Sequence, residues 1–308
     1  LVIRILCLFE IWTSASISSR GSIPRGSVEP YLVLGILSKM DIKERIGFQV
    51  LFDFKDPGEA LDYAVEQGFS AIEFNMSSPA FFPENISEKT RRMLSISPIP
   101  VLLHAPDGLS LFNLHRKPLE GIVDRLCEVI DLADEIKARC VTIHLGSTFH
   151  ISEGGQMKFM HKLFPKEYES ALRYSLKRLS DYAKTKTFLC VENTSGFRYN
   201  LSHKVLKDFL SGEELYLTWD IGHTNRLKGE EREREERFML EYAHLIKNCH
   251  IHDNSGGWDE HTVIGDGNID FIHYLSKLEK LDTYFIIEVR PKERAVESYA
   301  RLKEMLAH

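Results

Sequence analysis

Between Cys249 and Gly267 the chain reads CHIHDNSGGWDEHTVIGDG, which gathers three histidines and four carboxylates into nineteen residues. A solvated turn has no need of imidazole, because Ser, Gly and Asn serve a loop equally well. A histidine-rich polar loop is one reading of the stretch, and a site for a divalent cation is the other. The DEH triplet sets Asp259 and His261 at i, i+2, so an extended loop aims both side chains the same way. Upstream, WDIGH sets His223 three residues after Asp220, a spacing that lets both turn towards one cavity. Imidazole nitrogen combined with carboxylate oxygen, without thiolate, suits Zn²⁺, Mn²⁺ or Fe²⁺.

The elements that must position these residues are legible as an alternation. From Ile46 to the C-terminus, the short apolar runs IGFQVLF, AIEF, VLLH, CVTIHL, FLCVEN, LYLTWD, IKNCHIH and YFIIEV are separated by amphipathic segments. Such an order predicts βαβ units and a parallel sheet. PLEGIVDRLCEVIDLADEIKA carries Ile122, Leu126, Val129, Ala133 and Ile136 at helical spacing behind Pro118. DPGEALDYAVEQG opens on an Asp-Pro start signal and closes on Gly68, as a helix between two strands should. Eight strands favour an α/β fold of the (β/α)8 TIM-barrel type, one domain over 46–308, above an open doubly wound sheet. In a barrel of this kind the active site is built at the C-terminal ends of the strands. Glu73, His104, His144, Glu192, Asp220, His250 and Glu288 stand there. Each alone reads as a hydrogen-bonded structural residue, and together they point to a metal-dependent site.

Composition bounds the partners. The chain has 308 residues, 43% hydrophobic and 27% charged, with a formal net charge of −6. It is long enough to bury a sizeable core, and its acidic balance offers no global attraction to nucleic acid, although a local basic groove remains compatible with it. Cys140, Cys190 and Cys249 sit in β-like runs without a CxxC pair, which predicts buried thiols and a cytoplasmic setting. No apolar stretch approaches the roughly 20 residues that cross a bilayer, so no membrane association is expected. GDG at Gly265 looks like a tight turn rather than a phosphate cradle, and no nucleotide cofactor is expected. Residues 1–45 are expected to be a poorly ordered extension. LVIRILCLFEIW faintly imitates a secretory signal but is interrupted by Glu10, and Met40 is an alternative start.

The motifs HAP at His104, HLG at His144, ENTSG at Glu192, DIGH at Asp220, HIHDN at His250, DEHTVIGDG at Asp259 and IIE at Glu288 resemble those of the xylose isomerase-like TIM barrels. Within that superfamily they are most similar to endonuclease IV. The resemblance implies up to three zinc ions, with manganese or another divalent ion as the alternative. His104, His144 and Glu192 would hold one ion. Glu192 would bridge to a second, held also by Asp220, His250 and Glu288, while His223, Asp259 and His261 would hold the third. It further implies a DNA-repair hydrolase acting at abasic sites, with a metal-bound hydroxide as nucleophile and Glu192, Asp220 and Glu288 in catalytic roles.

Two rival readings use the same residues. A sugar or sugar-phosphate isomerase or epimerase needs one ion and two carboxylates on opposite faces of a carbon, for which Glu192 and Glu288 serve. A barrel that binds metal without catalysis is the third reading. An isomerase has no clear use for His104, His144, His223, Asp259 and His261 as ligands, which favours the hydrolase. Against it, Asp107 follows HAP where endonuclease IV has a tyrosine that contacts DNA, and DGLSLFNLHRK looks more like the small-molecule members.

Around these residues the expectations are blander. Glu73 either lines the pocket or caps a turn, and His252 supports the site rather than ligating. Asn193, Asp253 and Asn254 orient ligands by hydrogen bonds. Arg290 pairs with an acid rather than a phosphate. His115, His150 and His161 read as solvated loop residues, KGEEREREER as a solvated helix face, and MSSPAFFPENIS as a loop with two exposed phenylalanines.

Overall fold

A computed structural model describes residues 37–307. Its barrel strands are β1 (Ile46–Val50), β2 (Ala71–Asn75), β3 (Val101–His104), β4 (Cys140–Ile143), β7 (Phe188–Glu192), β8 (Tyr216–Asp220), β9 (Ile246–Ile251) and β10 (Tyr284–Ile287). Between β4 and β7 the chain inserts an antiparallel hairpin, β5 (His150–Glu153) with β6 (Gln156–Phe159), which the sequence reading does not anticipate. The eight strands close in the order β1-β10-β9-β8-β7-β4-β3-β2, every pair parallel, as the alternation predicts. Closure demands Gly47, because a Cβ there would meet the Ala71 carbonyl oxygen at 2.5 Å and the Ile286 side chain at 2.8 Å.

The helices named below are α1 (Pro57–Glu66), α2 (Glu88–Ser95), α3 (Arg116–Glu135), α4 (Met160–Leu163), α5 (Pro165–Ala183), α6 (Asn200–Ser211), α7 (Ile221–Asn225), α8 (Glu230–Glu241), α9 (Phe271–Leu278) and α10 (Lys292–Met305). Helix α1 starts where Asp56 accepts the backbone N–H groups of Gly58 and Glu59, with Pro57 in the first turn. It is followed by Gly68 at φ +78°. Helix α3 buries Leu119, Val123, Leu126, Val129, Ile130 and Ala133 as one stripe. Each such stripe packs on the outward residues of the strands, among them Ile72, Phe74, Leu103, Val141, Leu189, Leu217 and Phe285. Among the described residues no helix is long and apolar enough to cross a membrane.

Inside the barrel the side chains are layered. The floor is apolar, from Leu102, Cys140, Phe188, Cys190, Tyr284 and Ile286, with Leu37 and Met40 packed against it. Above it lies a hydrogen-bonded layer. Glu73 accepts from Gln49 Nε2 at 2.9 Å and from Asn248 Nδ2 at 2.7 Å. Asn248 Nδ2 also donates to Thr142 Oγ1, whose hydroxyl meets that of Thr218 at 2.8 Å. The acids and histidines at the strand ends rest on this layer.

The expected boundary at Ile46 is where β1 begins, but residues 37–45 are not a loose leader. They form 3-10 turns at Leu37–Lys39 and Ile42–Glu44 that lead into the barrel from below. Arg45 is fully buried, and its guanidinium donates to the carbonyls of Glu279 at 2.6 Å and Leu281 at 2.7 Å. The rest of the expected extension, with the signal-like stretch, lies outside the described residues.

Candidate metal centre

Strand alternation brings His104, Glu192, Asp220 and His250 to the top of the barrel interior, all buried. His104 Nε2 and His144 Nε2 lie 3.0 and 3.1 Å from Glu192 Oε2. His223 Nδ1 lies 3.2 Å from the other oxygen of Glu192 and 3.7 Å from Asp220 Oδ2. His250 Nδ1 is 3.5 Å from both Glu192 and Glu288. On the loop side, Asp259 Oδ2 sits 3.1 Å from His223 Nε2 and 3.5 Å from His261 Nε2. All nine residues expected as ligands therefore meet in one basin.

Several of these histidines have one nitrogen already spoken for. His104 Nδ1 donates to the Ala105 carbonyl at 2.8 Å, leaving Nε2 aimed at Glu192. His261 Nδ1 donates to the Glu288 carbonyl at 2.8 Å, and His250 Nε2 meets Glu73 at 3.0 Å. Anchoring one nitrogen and presenting the other is what fixes the tautomer of a metal-ligating histidine. His261 holds a left-handed backbone, φ +46°, a conformation that costs a non-glycine residue of order 1–3 kcal/mol.

Six polar atoms of these residues and His252 lack partners. Asp220 Oδ2, His223 Nδ1, His250 Nδ1, both ring nitrogens of His252 and Asp259 Oδ1 are buried without a hydrogen bond. An orphaned buried polar atom costs about 1–3 kcal/mol, and six of them converging on one basin require a common partner. Divalent cations fit that requirement. Three ligand-distance groups occur among the described residues besides His104, His144 and Glu192: Glu192, Asp220 and His223; Asp220, His252 and Glu288; and His223, His252, Asp259 and His261.

Without a cation, the carboxylates and imidazoles of the basin perturb one another strongly. Burial alone would raise the Glu192 carboxyl, but the imidazoles of His144, His250 and His104 outweigh it and hold the group well below the usual carboxylate range. Asp259 is likewise held down, against burial, by His223 and His261. Burial would depress His104, yet its bond to Glu192 and the nearby carboxylates of Asp107 and Glu73 lift it to about 9. His261 is lifted to about 9 in the same way, chiefly by Asp259.

Several expectations change. His252, assigned a supporting role, is fully buried with both nitrogens unpartnered, and its Nε2 lies 3.3 Å from Asp220 Oδ1. Its ring stacks on His261 at 3.8 Å, and a Cβ on Gly222 would overlap it at 2.1 Å, which explains the glycine of DIGH. Glu73 neither lines an open pocket nor caps a turn, but supports His250 from beneath. Asp253 orients no ligand: it accepts the backbone N–H groups of Asn254, Gly265 and Ile269 and so shapes the loop that carries Asp259 and His261. Asn254 donates to the Gly222 carbonyl at 3.0 Å, and Arg290 pairs with Glu288 at 3.3 Å.

Asn193 is bound more tightly than expected. Its Oδ1 accepts the Asp220 N–H at 2.7 Å, while Nδ2 donates to the Asp220 carbonyl and to Glu235 Oε1, each at 2.9 Å. Glu235 belongs to the charge run read as a solvated face, yet it is buried and also pairs with Arg198 at 2.8 Å. His161 is not a solvated loop residue either: it is buried in α4, bonded to Thr148 and stacked 3.8 Å from Tyr199. Phe81 is fully buried against Phe74, whereas Phe82 lies under the Arg125 guanidinium. His115 and His150 are exposed, as expected, although His150 opens β5 rather than lying in a loop.

The chain has relatives. A family model described as xylose isomerase-like TIM barrel matches residues 61–305. An uncharacterised protein of Methanocaldococcus jannaschii is 26% identical over 196 residues, covering 62% of this chain and 70% of that protein. A probable endonuclease 4 of Aquifex aeolicus is 26% identical over 247 residues, covering 72% of this chain and 82% of that protein. Among solved structures, a D-tagatose 3-epimerase-like protein superposes with a TM-score of 0.67 at 25% identity, covering 85% of this chain and 97% of that one.

Proposed function

Because the chain belongs to the xylose isomerase-like TIM barrel family, we propose that it is a divalent-metal-dependent phosphodiester hydrolase of the endonuclease IV type, acting on DNA at abasic sites. The observation that carries this reading is the cluster of His223, His252, Asp259 and His261, which adds a loop-borne ligand group to those around Glu192. Sugar isomerisation at a single ion leaves that cluster without a task, whereas neutralising a phosphodiester uses several cations. The similarity to the probable endonuclease 4 of Aquifex aeolicus supports the same choice.

His104, His144 and Glu192 would hold one ion, Glu192, Asp220, His250 and Glu288 a second, and His223, Asp259 and His261 a third, with His252 between the last two groups. Zinc or manganese bound there would supply Lewis acidity and a nucleophile from water near neutral pH. The protein's own contribution is preorganisation. Glu73 holds His250 by its Nε2, the Glu288 carbonyl holds His261 by its Nδ1, and Asn193 locks the backbone of Asp220 on both sides. Arg198 donates to the His223 carbonyl at 3.0 Å, which ties α7 to the 3-10 turn Ser195–Arg198 that follows β7. Arg290, beside Glu288, stands as a cation that a phosphate oxygen could share.

Cleavage of a duplex bearing one abasic site tests the proposal. Metal-dependent nicking is expected from the native protein, with a loss of at least tenfold in His261→Ala. No nicking with Zn²⁺ or Mn²⁺ would sink it.

A second reading, sugar epimerisation with Glu192 and Glu288 as the acid/base pair, is favoured by one observation. Asp107 Oδ1 lies 3.4 Å from His104 Nδ1 and 3.9 Å from His144 Nδ1, so an acid borders the basin where a phosphate backbone would approach. The likeness to the D-tagatose 3-epimerase-like protein points the same way. Solvent-proton exchange into a ketose, lost in Glu192→Gln, is its signature.

A further inference from the structure

Beside the metal centre, a cavity of ≈ 640 Å³ opens between the end of the hairpin, α4 and the starts of α5, α6 and α8. Three cations line it: Lys162, Arg198 and Arg234. Arg198 is committed to Glu235. The other two have no carboxylate partner among the described residues: Arg234 donates to Asn200 Oδ1 at 3.0 Å and the Arg198 carbonyl at 3.3 Å, and Lys162 Nζ sits 5.3 Å above the Phe159 ring. The remaining lining acid, Glu231, is exposed at the rim.

Further features of the cavity favour an anion. His203 lines it with a buried Nε2 that has no partner. Burial, followed by the charges of Arg234 and Lys207, lowers that imidazole to about 4. Arg234 is anchored at the first residue of α6, whose opening turn carries no acidic residue. Phe159, Tyr199 and Leu227 add ring and apolar surface. A volume of this size takes a phosphate together with a sugar or a base.

We propose that this cavity binds a phosphorylated ligand, its phosphate between Arg234 and Lys162 and its ring against Tyr199 and Phe159. The phosphate comes either from a substrate reaching across from the metal centre or from a separate phosphorylated small molecule. Both sources exploit the same wall, because Arg198 is hydrogen-bonded to the His223 carbonyl and so joins the cavity to a candidate ligand. The inference holds whichever reaction the metal centre performs.

Calorimetric titration of the full chain with inorganic phosphate and pyrophosphate tests it. Binding is expected in the native protein and in His261→Ala, and should weaken at least tenfold when Arg234→Gln and Lys162→Gln are combined. Both positions are exposed, so the double variant should keep its circular dichroism melt, and Lys162→Arg should retain binding. No binding in the native protein, binding unchanged in the double variant, or binding abolished by His261→Ala would each overturn the proposal. Once a substrate is in hand, a raised KM with unchanged kcat in the double variant assigns the phosphate to the substrate. An effect of added phosphate on kcat that is lost in the double variant, with KM unchanged, assigns it to a separate ligand, and either result supports the site.

Discussion

Glu73 and His250, on strands that are not neighbours in the barrel, meet across its interior at 3.0 Å with both side chains fully buried. The carboxylate receives the Nε2 proton, and Nδ1 is thereby turned up towards Glu192 and Glu288. Glu73→Gln would replace one acceptor oxygen by a donor facing Gln49 or Asn248, which both donate to it now. Metal affinity should fall roughly 10–100-fold, the usual cost of losing such support. Competition against a chromophoric chelator reads the change, and an unchanged affinity would remove His250 from the ligand set.

Glu235→Gln tests the clamp behind the site. The neutral amide loses the ion pair with Arg198, and its NH2 end must oppose either the Arg198 donor or the Asn193 and Thr224 donors. Breaking a buried pair by removing one charge costs about 3–5 kcal/mol, so the melting temperature should drop clearly. Loss of metal content together with stability is expected, since Asn193 holds Asp220. A variant that melts earlier but keeps its full metal content would separate the clamp from the centre.

Metal binding and protonation oppose each other here. In the metal-free protein His104 and His261 are held up to about 9 by carboxylates that outweigh burial, so part of that state's stability comes from imidazolium pairs. Such groups contribute fully below the unfolded value of about 6.5, and the contribution is lost as pH rises through about 9. The metal-free protein should therefore melt several degrees lower at alkaline pH than at neutrality, while the metal-loaded protein should not. Ion binding near neutrality must also release protons, measurable by calorimetry in buffers of different ionisation enthalpy. An uptake independent of buffer would contradict the assignment of these ligands.

His203 should produce the reverse slope at acid pH. Burial first, then the positive charges of Arg234 and Lys207, lower it to about 4. It stays neutral in the fold while the unfolded chain takes up a proton near 6.5, so stability is full above that value and declines as pH falls towards 4. The decline attributable to this group is about 2–3 kcal/mol. Denaturant titrations of the native protein and His203→Gln across this window should diverge by that amount, and parallel curves would refute the shift.

The barrel and most of the basin were legible because strand ends are short and periodic. Each run such as CVTIHL or LYLTWD carries, at its end or one residue before it, a side chain that must face inward, and the alternation names it. His252 reads as a support because strand alternation sets it on the face of His250 without revealing that both of its ring nitrogens are buried and unpartnered. Glu235 was hidden by its neighbours: in a run of alternating signs, nothing in the pattern marks which carboxylate the helix turns inward. His161 and Phe81 read as loop residues because short helical turns of three or four residues leave no period to read. Asp253 shows the same limit, since its three backbone partners come from a loop geometry that sequence does not encode locally.

The layer beneath the ligands ties together residues distant in the chain: His250 and Asn248 reach Glu73 across 177 and 175 residues. Contacts of such separation form late in folding, because the closure entropy must be met before they return any stability. The ligand nitrogens therefore come into alignment only when strands from both halves of the chain have met around the same axis. An ion offered to the nascent chain finds scattered imidazoles rather than this basin, so correct metallation follows barrel closure and reports on it.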